Sequence, residues 1–234
     1  MQVNSKMLEI LRPLSKWRFL GLKELQELAS FPVSYWHIQR VVTRFEKAKI
    51  LKSFRDPWTS KKLVYLENLG KGFFGFECAA SLNQETLLHD SKVSEICRSL
   101  LLRNTFKDVS LEHELSKKLF YAGELSPDAI LKGEKNSKKF TMALELELTR
   151  KSNERILAKG KHYLNSTLVD YALYLFCSEP LFLCYKKVFL DGLPEGWNNK
   201  LILMWNSSFI SKELRHENGI GFFKKNEIHF NELF

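Results

Sequence analysis

The sequence predicts an α/β protein, α+β overall, that is built from two domains. Residues 1–74 show three helical patterns followed by two strand patterns. Later residues alternate between period-2 strands and amphipathic helices, which predicts a mixed sheet flanked by helices. With 234 residues, 44% of them hydrophobic, the chain can bury a sizeable core. The predicted domains are residues 1–74 and 89–234, joined by a glycine-containing linker at 75–88.

The first domain is predicted to contain three helices followed by a β-hairpin. One helix opens at Met7 and stops near Pro13, and a second covers residues 23–29 with Leu25 and Leu28 inward. The third covers residues 35–49, has Ser34 as its N-cap, and carries an apolar stripe. Residues 50–54 and 61–66 are two strands joined by a polar turn. This order predicts a winged helix-turn-helix.

The third helix carries the candidate DNA contacts, because the second helix of a helix-turn-helix enters the major groove. Gln39 and Arg40 can read adenine and guanine, and basic side chains further along suit phosphates. The predicted DNA-binding residues are Tyr35, Gln39, Arg40, Thr43, Arg44 and Lys47 on the helix, with Arg55, Lys61 and Lys62 on the wing; Trp36 and His37 share the outward face. The alternative is a solvated charged face on a protein-binding or dimerisation module.

The charge distribution favours DNA for this domain. Residues 1–74 hold 14 basic and 6 acidic residues, which is +8 of the chain's net +9. A positive charge gathered in one third of the chain is expected of a surface that approaches a polyanion.

The second domain is predicted from an amphipathic helix that follows His89 and Asp90, and from several strands. Strands are expected at residues 106–111, 118–121, 171–177 and 201–205, with helices at 151–164 and 181–190. Pro127-Asp128 ends one further strand, and residues 143–149 form another. Strict alternation places Glu145, Glu147 and Thr149 on one face of that strand.

Carboxylates on neighbouring strands can converge on a divalent cation, because Mg²⁺ prefers hard oxygen ligands. Asp128 and Glu145 are the predicted metal ligands, Glu147 lies one step further, and Lys151 is the nearest basic side chain. Such an ion would activate a water and stabilise charge on a scissile phosphate. The alternative is an ordinary half-exposed strand beside an ordinary Pro-Asp turn.

Several motifs in this order carry a family resemblance: His89 before the first helix, Glu114 within LEHEL, Pro127-Asp128, Leu144–Glu147 as LELE, and a helix ending in Lys161-His162-Tyr163. They resemble the PD-(D/E)xK restriction-endonuclease-like superfamily. More narrowly, a winged helix followed by such a core resembles the replication-relaxation family of plasmid and mobile-element proteins. The resemblance covers about residues 5–205, and its motifs are short.

The resemblance implies a catalytic set of Asp128, Glu145, Glu147 and Glu114, with Mg²⁺ or Mn²⁺ as cofactor if the site is active. Active members of the superfamily that the chain resembles carry an acidic residue, then any residue, then lysine. In this chain the acidic residue is Glu147, and Thr149 stands where the lysine would be. Lys151 would have to reach in from the next turn, or Lys139 would have to substitute. We therefore expect a degenerate site more than an active one.

The expected function is sequence-specific binding of double-stranded DNA in plasmid or mobile-element replication, relaxation or its control. The alternatives are an active Mg²⁺-dependent DNA endonuclease and a transcriptional repressor. Expected partners are duplex DNA and no membrane, with a homodimer or replication and mobilisation proteins left open. Four cysteines without CxxC spacing, no secretory signal and no long apolar run predict a cytoplasmic location.

Overall fold

A computed structural model describes residues 5–74, 84–115 and 126–234. Its contacts divide into two compact units, unit 1 at Met1–Ser94 and unit 2 at Glu95–Phe234. The division falls inside one helix, whereas the sequence places the start of the second domain at His89. Residues 75–83 of the predicted linker and the predicted strand at 118–121 lie outside the described residues, while residues 84–88 are helical.

Unit 1 contains helices and a three-stranded antiparallel sheet in the order β1-β3-β2. Its elements are α1 (Ser5–Trp17), β1 (Leu20–Gly21), α2 (Leu22–Glu27), α3 (Tyr35–Lys47), β2 (Leu51–Arg55), β3 (Lys62–Leu66), α4 (Asn68–Gly72) and the first part of α5 (Gln84–Leu101). The predicted order of three helices and a hairpin is therefore present. The short β1 adds a third strand to the hairpin, next to β3.

Three predictions for this unit were wrong. Helix α1 continues through Pro13, because its buried stripe runs on to Leu14 and Trp17 and packing outweighs the backbone hydrogen bond that proline removes. Leu28 is exposed, since α2 ends at Glu27. His89 and Asp90 lie inside α5 rather than before it, and the helix already buries Leu87.

Unit 2 contains a seven-stranded mixed sheet in the order β10-β9-β8-β7-β6-β5-β4, flanked by helices. Its elements after α5 are β4 (Phe106–Leu111), a 3-10 helix (Glu112–Glu114), β5 (Ala129–Lys135), β6 (Lys138–Glu147), α6 (Asn153–Asn165), β7 (Tyr171–Phe176), α7 (Glu179–Gly192), β8 (Leu201–Trp205), β9 (Ile220–Phe223), β10 (Asn226–His229) and α8 (Phe230–Leu233), with three further 3-10 helices between α7 and β9. The predicted bounds of β4 and β8 are confirmed.

The sheet changes from antiparallel to parallel pairing at β6. Strands β4, β5 and β6 are antiparallel neighbours, whereas β6, β7 and β8 are parallel and are connected through α6 and α7. Each of these two connections contains a helix, because a tight turn cannot join two parallel strands. Aromatic and aliphatic side chains of β7, α6 and α7 form a buried cluster on one face of the sheet.

Two details of the carboxylate region differ from the prediction. Asp128 precedes β5 instead of ending a strand, and Thr149 lies beyond β6, which ends at Glu147. Within the described segments, no helix combines the length and apolar character that a bilayer-spanning helix needs.

Candidate functional site

Helix α3 begins where its sequence predicts. The Ser34 side chain accepts a hydrogen bond from the His37 amide at 3.2 Å, which satisfies one of the free amides of the first turn. One face of the helix is fully buried, through Ile38, Val41, Val42 and Phe45. The opposite face is therefore fixed toward solvent by the 3.6-residue period.

That outward face is exposed along the whole helix. Its members are Tyr35, Trp36, His37, Gln39, Arg40, Thr43, Arg44 and Lys47. Trp36 is 73% exposed and packs edge-on against Tyr35, which agrees with its predicted place on the outward face. Among the described residues, none forms an ion pair or a side-chain hydrogen bond with Arg40, Arg44 or Lys47, which leaves three positive charges to meet a partner.

The residues that the sequence predicted for a wing are differently placed. Lys61 pairs with Glu24, and Lys62 pairs with Glu46 at 2.8 Å. Arg55 donates to the carbonyl of Ser60 at 3.1 Å. The three predicted wing contacts are therefore engaged within unit 1, and any DNA contact they make competes with these interactions.

The turn between β2 and β3 is held by a fully buried ion pair. Asp56 and Lys92 are each 1% exposed, and their charged atoms lie 2.9 Å apart. Asp56 also accepts from the Trp58 amide and from the Thr59 hydroxyl, and these contacts together lower its pKa despite the opposing effect of burial. Lys92 belongs to α5, so the hairpin depends on residues well beyond position 74.

The predicted carboxylates of unit 2 meet at one end of β5 and β6. The register pairs Ala129 with Leu144, and one further step places Asp128 opposite Glu145. The Asp128 amide donates to the Leu144 carbonyl at 3.1 Å, and its carboxylate accepts from the Leu146 amide at 2.7 Å. Asp128 thus extends the ladder past the end of β5.

Glu145 is buried, at 1% exposure, and helix α6 binds both of its oxygens. The Lys159 ammonium lies 2.5 Å from Oε2, and the Tyr163 hydroxyl donates to Oε1. Lys159 and Tyr163 are four residues apart, which places them on the same side of α6, over β6.

Burial and mutual charge shift the pKa values of Glu145, Glu147 and Lys159. Burial raises the pKa of Glu145 to about 8, with Asp128 adding to the rise and Lys159 opposing it. Burial also raises the pKa of Glu147. For Lys159, burial acts to lower the pKa, but Glu145, Asp128 and Glu147 more than offset it, and its pKa is raised.

Three tyrosines lie around the carboxylates: the Tyr163 hydroxyl donates to Glu145, whereas the buried hydroxyls of Tyr174 and Tyr185 have no hydrogen-bond partner among the described residues. Burial raises the pKa of Tyr163, Tyr174 and Tyr185, so all three keep their protons at neutral pH. The Tyr185 hydroxyl favours the charged form of Glu147, although it makes no hydrogen bond of good geometry to any described residue. The arrangement can hold and share protons within a dry, closely packed group.

The other predicted site residues lie elsewhere or have other contacts. Lys151 donates to the Thr149 hydroxyl at 3.3 Å and acts on Glu147 only through its charge. Lys139 stands at the opposite end of β6, six residues and roughly 20 Å from Glu145 along the strand. Glu114 accepts from the Leu111 amide at 2.9 Å and takes no part in the shifts of Glu145 or Glu147.

Sequence reasoning missed Lys159, the lysine that this fold brings to the carboxylates. The available signal was its spacing: Lys159 precedes the inward-facing Tyr163 by one helical turn, so both belong to the same side of α6. The sequence-based hypothesis placed the lysine on the strand itself, whereas in the structure the lysine belongs to the following helix.

The residues in this arrangement do not fit a preformed Mg²⁺ site. Both oxygens of Glu145 are engaged, and one of Asp128 is held by a backbone amide. In the parts of the chain that the structure describes, no three His, Cys, Asp or Glu side chains are grouped to hold a metal ion. Compared with known proteins, the chain matches no family model, no curated protein and no solved structure.

Proposed function

We propose that unit 1 is a winged helix-turn-helix that binds duplex DNA through the outward face of α3. The observation that carries the proposal is the set of unpaired, exposed cations Arg40, Arg44 and Lys47 along one side of a helix whose other side is fully buried. A net charge of +8 in residues 1–74 and the exposed Trp36 support it.

The physical role of these side chains follows from their chemistry. Arg40 and Gln39 lie one turn into the helix, where bidentate contacts to guanine and adenine are made. Arg44 and Lys47 lie further on and suit backbone phosphates. The wider role that the family resemblance suggests, in replication or relaxation of a plasmid or mobile element or in its control, rests on this binding.

Replacing Arg40 and Arg44 with Ala tests the proposal. The Arg40 base contact and the Arg44 phosphate contact would be lost, so retention of duplex DNA at moderate salt should fall below detection. At the low salt where binding is still measured, the slope of log K against log salt should fall by about 0.9, because one phosphate contact is removed. Fluorescence anisotropy on labelled duplexes across a salt series measures both quantities. Lys6→Ala with Lys23→Ala is the matched control, since it removes the same charge from exposed helical positions of unit 1.

Equal retention by wild type, control and the α3 variant would show that α3 is not the interface. Equal weakening by the two variants would show that net charge alone attracts DNA. A circular-dichroism melt of each protein excludes unfolding as the cause of a loss.

A second candidate, phosphodiester cleavage by unit 2, is favoured by the lysine that accompanies the carboxylates. Lys159 contacts Glu145, and the charges of Asp128 and Glu147 help to raise the pKa of Lys159. Incubation of supercoiled plasmid with Mn²⁺, comparing wild type with Asp128→Ala, tests this second candidate. Nicking by wild type alone supports cleavage, and no nicking by either protein leaves unit 2 without this activity.

A further inference from the structure

A groove of about 310 Å³ lies at the hairpin end of β5 and β6, within unit 2 and at the far end of β6 from Glu145. Its lining includes Lys107, Lys132, Lys139, Phe140, Thr141 and Asp170. The register pairs Lys132 with Thr141, so Lys132, Thr141 and Lys139 share one face of the sheet. The diagonal separation of Lys132 and Lys139 is about 7–8 Å between Cα atoms.

The backbone is shaped to form this groove. A side chain at position 133 would meet the Phe140 ring at 2.3 Å and the Thr105 carbonyl at 2.7 Å, so Gly133 lets the ring lie across the strand. Phe106 and Tyr171 pack edge-on against the same ring and fix it. On β4 the pairing with β5 shifts between Phe106 and Asp108, and such a bulge redirects the side chain within it, here Lys107.

The three lysines are exposed and converge on the groove. Among described residues, none forms an ion pair with Lys107, Lys132 or Lys139. Acidic side chains are also close: Glu134 lies opposite Lys139 in the sheet, and Asp108 of β4 lies opposite Lys132. The groove lining itself holds three lysines against the two carboxylates Glu134 and Asp170, of which Asp170 accepts from the Thr141 amide at 2.7 Å, so the lining has an excess of one positive charge.

We propose that this groove binds a backbone phosphate of nucleic acid, giving unit 2 its own contact with DNA. This inference rests on the proposed DNA-binding function and extends it to the second unit. Lysine ammonium groups act as point charges toward phosphate oxygens, and their flexible stems allow two or three of them to surround one phosphodiester. The contact carries no sequence information, because it reaches only the backbone.

The experiment compares two variants of the full chain with equal charge change. Lys132→Gln with Lys139→Gln removes two cations of the groove, and Lys187→Gln with Lys225→Gln removes two cations that are paired with Asp191 and Glu195 on the same unit. Duplex-DNA affinity is measured by anisotropy from low to moderate salt. The groove variant should lower the slope of log K against log salt by about 0.9, the value for one phosphate contact, with the control unchanged.

Three results would overturn the inference. Equal slopes for all proteins remove the groove from the interface, and equal losses for both variants reduce the effect to net charge. Competition by inorganic phosphate at constant ionic strength, with DNA binding unaltered by the groove variant, assigns the groove to a free anion instead of DNA.

The same measurements test the α3 interface independently of the groove. If the groove variant weakens binding while Arg40→Ala with Arg44→Ala does not, the groove contact stands and the α3 assignment falls. If the α3 variant alone loses DNA, the proposed function stands without the groove. If wild type does not bind DNA, both fall. Lys132→Arg with Lys139→Arg should restore the wild-type slope, because charge is the property required.

Discussion

His216 is a buried histidine in unit 2 whose ring stacks on Phe230 with centroids 4.9 Å apart. Its Nε2 shares a hydrogen bond with the Ser99 hydroxyl. Burial, together with the positive charge of Arg103, lowers its pKa to about 4. The folded protein therefore holds a neutral imidazole at pH values where a free histidine is protonated.

This shift predicts a loss of stability in mild acid. Above the ordinary pKa of 6.5, both folded and unfolded states hold neutral His216, and its contribution is fully present. As pH falls from 6.5 to about 4, only the unfolded state takes up the proton, so the free energy of unfolding falls, by about 3 kcal/mol at the lower end. Urea titrations of wild type and His216→Phe across this window should show a smaller decline in the variant, which keeps the ring stack.

His37→Gln is the matched control, because His37 is exposed on α3. The control should lose stability with pH as wild type does. If His216→Phe also follows the wild-type curve, the acid sensitivity comes from other groups.

At the scale of elements, α6 is attached to β6 through one ion pair and one hydrogen bond to Glu145. Removing a single partner leaves a buried group without its counterpart, whereas removing both charges does not. At about pH 9, above the Glu145 pKa of about 8, both groups are charged, so Lys159→Met should lower the free energy of unfolding by about 3–5 kcal/mol, and adding Glu145→Gln should recover most of that loss. A double-mutant cycle in urea measures the coupling. Additive losses would mean that Lys159 and Glu145 contribute independently.

The sequence predicted those elements whose patterns are local. Helix α3 has an uninterrupted apolar stripe and a serine cap, β8 is a run of five apolar residues, and β4 has apolar side chains at Phe106, Val109 and Leu111 between polar ones, so their bounds or faces follow from the residues. The start of α5 and the passage of α1 through Pro13 depend on packing against other elements, which overrides a local signal.

The candidate sites, too, were predicted where the signal is local and missed where it depends on tertiary packing. Every residue predicted to face outward on α3 is exposed, because helical period alone decides it. The neighbourhood of Asp128, Glu145 and Glu147 followed from strand alternation, but the lysine did not. Which helix covers which strand is a tertiary property, and so Lys159 could be recognised only from its spacing to Tyr163.

At the scale of the whole molecule, the buried pair of Asp56 and Lys92 predicts which N-terminal fragment folds on its own. A fragment of residues 1–74 lacks α5, and with it the Lys92 partner of Asp56, the Asp90 partner of Arg18 and the Ser94 hydroxyl that donates to the Trp17 carbonyl. We expect residues 1–94 to unfold cooperatively on heating and residues 1–74 to show no cooperative transition. Circular dichroism compares the two fragments. Equal melting of both fragments would contradict the prediction.

The bulge in β4 also affects how copies of the protein meet in concentrated solution. Strand β4 is one end of the seven-stranded sheet, and the edge of a sheet is a template on which a strand of another molecule can add. The shift between Phe106 and Asp108 breaks the regular spacing of that template, and the exposed charges of Lys107 and Asp108 stand where an incoming strand would lie. We therefore expect the irregularity that shapes the groove also to disfavour addition of a strand from another molecule at β4.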